Sequence, residues 1–143
     1  MKLELTVVVK DRYSRIQTLL KNCGNEGCLF LCLCSIAEEQ KGKPIDLIDA
    51  IKTSLSKGWI DEQFTVKNNL AVLEYLTGVK WDRRHTSSLP VELSVNDYTV
   101  AIYYNKRTGY RHFRRRGYDT LTNSITVKEG VLEGYYIYSW SYV

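Results

Sequence analysis

Histidine is scarce in this 143-residue chain, which has only His85 and His112, and so is charge of one sign: 20 basic and 16 acidic residues leave +4. No apolar stretch approaches the ~18 residues that a membrane span requires. The opening residues do not combine a basic end, a long apolar run and a small-residue cleavage site as a secretory leader does. The expectation is a soluble, cytoplasmic protein with no membrane partner. The net charge is too mild to argue for nucleic acid unless it clusters, and it clusters once, at Arg111, Arg114, Arg115 and Arg116. The length is about that of one domain, and such a domain buries roughly two thirds of its unfolded surface, enough for a core without staples.

All four cysteines are crowded into KNCGNEGCLFLCLCSIAEE, residues Lys21 to Glu39. In a reducing cytosol a disulfide framework is out of place. Cys28, Cys32 and Cys34 also fall on one helix, where residues two apart point in different directions. The spacing C-x4-C-x3-C-x-C matches none of the usual two-plus-two zinc knuckles. No cofactor is expected. Two readings of the cysteines remain: small core residues, since free cysteine is among the most buried types, and a thiol nucleophile at the head of a helix.

Along the chain, LELTVVV reads as a short β-branched strand. The run RYSRIQTLLKNCGNEG ends in a loop of turn formers, Asn22, Gly24, Asn25 and Gly27. The following run, Cys28 to about Gln40, is apolar on every side, which marks a helix buried within a domain. It stops at Gly42, with Pro44 beyond. Amphipathic helices are expected in PIDLIDAIKTSLSKGW and TVKNNLAVLEYLTG, with the second ending at Gly78. From Val79 onward strand signals take over in KWDRR, DYTVAIYYN, YRHFRR, SITVKEG and EGYYIYSWSY, with turns between them. Helices first and strands afterwards predict a single α+β domain, helical over about 12–78 and an antiparallel sheet over about 79–143.

A Gly- and Asn-rich loop delivers Cys28 to a helix N-terminus, whose partial positive charge favours a thiolate. A thiol nucleophile needs a base. His112 lies in a predicted strand just after a turn, whereas His85 sits in WDRRHTSSLP, a polar loop with nothing to orient it. The set NEGC, Tyr110-Arg111-His112-Phe113 and Gly117-Tyr118-Asp119 resembles the papain-like cysteine peptidase fold, in particular its compact bacterial variants. The tail YDTLTNSITVKEGVLEGYYIYS is similar to an uncharacterised family of short proteins encoded by phages and by spirochaete plasmids.

The resemblance covers about residues 22–138 and implies Cys28 as nucleophile, His112 as general base and Asp119 as orienter of the imidazole. It implies an oxyanion hole from the Cys28 backbone N–H and a side-chain amide. Where the family has a glutamine six residues before the cysteine, this chain has Asn22, and Asn25 is a second source of the amide. Gln17 stands six before Cys23, so an alternative alignment makes Cys23 the nucleophile, although two glycines follow it. The substrate class implied is an amide, peptide or thioester bond in a peptide or protein. The alternative is a non-enzymatic, phage-encoded binding or inhibitor protein on the same scaffold, aimed at a host protein. The four arginines suit an acidic partner, since guanidinium groups match carboxylates and phosphates. A strand with Tyr110, His112 and Arg114 on one face and Arg111, Phe113 and Arg115 on the other has no face to bury whole, so it should be short or lie at an edge.

Overall fold

The computed structural model describes residues 27–115 and 130–142. Helix α1 spans Cys28–Lys41 and buries Phe30, Leu31, Cys32, Leu33, Cys34, Ile36 and Ala37. A helix apolar on so many sides must have partners on most of them, and α1 has the sheet along one flank and the other helices along another. It ends at Gly42, which adopts φ 70°, a left-handed conformation that glycine takes without steric cost, and donates back to the carbonyls of Glu38 and Glu39.

Helix α2, Leu47–Ser56, is capped by Asp46, whose carboxylate accepts the N–H of Asp49; α3, Asn69–Thr77, is capped by Asn68, which accepts from Ala71. Each cap satisfies an N–H that the helix itself leaves free. The caps also start both helices a few residues later than the apolar spacing suggests.

Four strands follow: β1 Lys80–Thr86, β2 Asp97–Asn105, β3 Arg111–Arg114 and β4 Gly130–Ser141. They form one antiparallel sheet in the order β1-β4-β2-β3. The α+β architecture expected from the sequence is thus present, with α1 packed against a sheet built after Val79. The expected strands in LELTVVV and over residues 124–129 lie outside the described residues.

The helix-side face of the sheet carries Trp81, Val100 and Tyr138, which join the apolar residues of all three helices in one core. Trp81 is fixed at its polar end, its ring N–H donating to Thr77 Oγ1 at 2.8 Å, and buried Tyr138 donates to Asn69 Oδ1. These bonds meet the requirement that buried aromatics with a polar group find a partner, and they tie both strands to α3. On the far face Ile137 and Ala101 are buried as well.

Candidate functional site

Strand β3 is the edge of the sheet and is only four residues long, as its two-sided polar pattern required. It pairs with β2 on one side, Ile102 opposite Phe113 and Tyr103 opposite His112. On its other side stands α1. The thiol of Cys32 approaches the Phe113 carbonyl at 3.6 Å, and a backbone hydrogen bond from Phe113 reaches the Cys28 sulfur. N–H and C=O of one strand residue point to the same side, so Phe113 offers both groups to the first turns of the helix. The two cysteines therefore cover an edge that would otherwise expose unpaired backbone.

Cys28 is 8% exposed, and Cys32 and Cys34 are buried in the core. None of the three is in a disulfide among the described residues. Burial pushes the Cys28 thiol up, against the weaker opposing effect of backbone hydrogen bonds from Phe113, Leu29 and its own residue. Burial, with Cys28 beside it, pushes Cys32 up to about 12. This corrects the expectation that the helix terminus makes Cys28 a thiolate: a partial charge at a helix end is outweighed when water is removed from the sulfur.

His112 sits one residue before Phe113. Since Phe113 stacks on Tyr136 at 5.9 Å on the helix side, strand alternation sets His112 on the opposite face. Burial, and then the nearby Arg114, hold its imidazole below the ordinary value. Its Nε2 is buried without a hydrogen-bond partner, so the ring carries a nitrogen free to accept a proton. Cys28 and His112 thus meet β3 at adjoining positions, as neutral thiol and neutral imidazole. Asp119, Asn22, Asn25 and Cys23 lie outside the described residues, as does Arg116.

The described arginines do not form one patch. Arg111 is held by Glu133, 3.1 Å from its Nε, and lies over the Tyr104 ring at 4.9 Å. Arg115 is 5% exposed and binds Ser35 Oγ and the Glu39 carboxylate of α1. Arg114 shares the far face with His112. Their strand positions alternate, and two of the three are engaged by carboxylates inside the fold.

His85 differs from its expected place. It belongs to β1, opposite Tyr136, and its ring meets the Tyr136 ring edge-on at 5.4 Å. Arg83 lies over the same tyrosine, 4.5 Å from the ring centre. Beside them is Gly134, where a Cβ would come within 2.7 Å of the Thr86 carbonyl oxygen and 3.2 Å of His85 Nε2. Sequence reasoning missed this arrangement because β1 has no apolar alternation of its own. The signal available was the tyrosine row of β4, which needs a neighbouring strand to pack on.

Among the described residues no group of three or more His, Cys, Asp or Glu side chains converges as a metal would need, and no helix is long and apolar enough to cross a membrane. No family model, curated protein or solved structure matches the chain.

Proposed function

We propose that the chain is a papain-like cysteine hydrolase or transferase acting on an amide, peptide or thioester bond, with Cys28 as nucleophile and His112 as general base. The observation that carries this reading is the convergence on β3: the Cys28 sulfur against the backbone of Phe113, and next to Phe113 a histidine with an unpartnered buried nitrogen. Because both groups are neutral at pH 7, the proton passes from sulfur to imidazole as the sulfur attacks, rather than before substrate arrives. The attack forms an S–C bond at the carbonyl carbon; the imidazolium then returns its proton to the leaving group, and water releases the acyl group. The reading requires the ring to reach the sulfur around the outer edge of β3.

Acylation by a small peptide thioester, followed by mass mapping, tests the assignment. The acyl group is expected on Cys28, lost in Cys28→Ala and formed at least tenfold more slowly in His112→Ala, within the range of general-base contributions. Acylation at Cys23, or at an unchanged rate without His112, overturns it.

The raised Cys28 pKa supports a second reading, a non-enzymatic binding protein in which the buried thiols serve only to close the β3 edge. On that reading the acyl probe labels no cysteine faster than an unfolded control does.

A further inference from the structure

The outer edge of β1 is built differently from that of β3. The Trp81 N–H turns outward to Glu74 Oε2 at 3.2 Å, so Trp81 points its backbone away from β4. Alternation sends the N–H and C=O groups of Arg83 and His85 the same way. Both residues are exposed. Among the described residues neither backbone has a hydrogen-bond partner on that side, and the Arg83 guanidinium, laid over Tyr136, has no carboxylate partner. Asp82 belongs to the opposite face, and Asp97 and Glu133 are taken by Arg84 and Arg111.

We infer that β1 receives an acidic polypeptide segment as an added antiparallel or parallel strand, hydrogen-bonded to Arg83 and His85 and placing one carboxylate on the Arg83 guanidinium. Three features favour this occupant. The edge supplies backbone donors and acceptors at every second residue, as strand addition requires. On the face that carries Arg83, the charge without a carboxylate partner among the described residues is a single guanidinium beside the His85 ring, which matches one carboxylate, whereas a nucleic acid needs several phosphates neutralised. The guanidinium is already held by the tyrosine, so less freedom is lost when it pairs. The inference goes beyond the thiol chemistry proposed above and does not depend on it.

Fluorescence anisotropy with a labelled hexapeptide, Thr-Glu-Val-Glu-Val-Thr, tests it on the whole chain. The peptide is expected to bind, its lysine-for-glutamate counterpart to bind about tenfold more weakly, and a version N-methylated at alternate residues to lose binding, since it cannot donate to the edge. Arg83→Gln should weaken binding about tenfold, as loss of a charge-assisted hydrogen bond does, and Arg83→Lys less. Arg84→Gln, on the opposite face and paired with Asp97, should leave binding unchanged. Equal losses from the Arg83 and Arg84 variants, full binding of the N-methylated peptide, or tighter binding of a thymidine hexanucleotide overturns the inference. Each readout is binding alone, so failure here leaves the acylation result untouched, and the reverse also holds.

Discussion

The two edge strands of the sheet deal with the same hazard in opposite ways. Strand β3 is four residues long and its outer side is closed by α1, through Cys28 and Cys32 at Phe113 and through Ser35 and Glu39 at Arg115. Strand β1 is seven residues long and, among the described residues, is tied on its outer side by one carboxylate, Glu74, at Trp81. Its remaining length is charged: Asp82, Arg83 and Arg84. Covering and charging are both known protections for a sheet edge. The covered edge is where a thiol and an imidazole come to one strand. The charged edge is where, among the described residues, the outward backbone groups of Arg83 and His85 have no partner.

This contrast assigns different anchors to the two edges, and substitutions separate them when stability is followed by urea unfolding. The largest loss is expected at the β1 end, where Trp81 is buried in the core and bonded to Thr77. Trp81→Ala should cost about 4 kcal/mol, through lost burial and the cavity left behind. At the β3 end the anchor is electrostatic. Arg115→Ala should cost about 3 kcal/mol, because it removes a buried side chain with its charge-assisted hydrogen bonds to Ser35 and Glu39 and leaves a hole against α1. Arg115→Met should recover most of that loss, since it refills the hole against α1 while the Glu39 carboxylate, 31% exposed, stays within reach of water.

Gly134→Ala should come next, at about 2 kcal/mol. The new methyl meets the Thr86 carbonyl, a backbone atom, at 2.7 Å, so β1 and β4 must part at the end that carries His85. The smallest effect is expected from Arg84→Ala, within about 0.5 kcal/mol: its contact with Asp97 is 3.7 Å long and its side chain is 57% exposed, so solvent screens it. A loss at Arg84 as large as that at Arg115 would remove the distinction between a charged edge and a covered one.

How much of this was legible in the sequence follows from what each element depends on. The α1 run declares itself because burial on most sides needs apolar residues on most sides. Strands β2 and β4 declare themselves by aromatic and β-branched alternation. The far end of β1 does not, because Arg83, Arg84 and His85 are held as a strand by the tyrosines of β4 and not by burial of their own. The arginine cluster read as one feature because its members are neighbours in sequence. In the fold, Arg115 is claimed by Glu39, 76 positions away, a partnership that no local pattern encodes. The helix start and the histidine just after a turn suggest a meeting of Cys28 with His112; the structure sets the Cys28 sulfur against the backbone of Phe113, the next residue, with the His112 side chain on the opposite face. The protonation state of the Cys28 thiol was not legible, because desolvation is set by tertiary packing.

The pH dependence of Cys28 alkylation by iodoacetamide tests the central claim, that Cys28 and His112 act together as a neutral pair, most directly. The lowered imidazole value places one inflection below 6.5, and the raised thiol value places the next above 9. The rate at Cys28 should therefore climb as the imidazole loses its proton below pH 6.5, hold level through neutrality, and climb again only above pH 9. His112→Ala should abolish the level region and leave the upper rise. A single rise above pH 9 in the native protein, unaltered by His112→Ala, would contradict the account and leave Cys28 as a residue that closes the sheet edge.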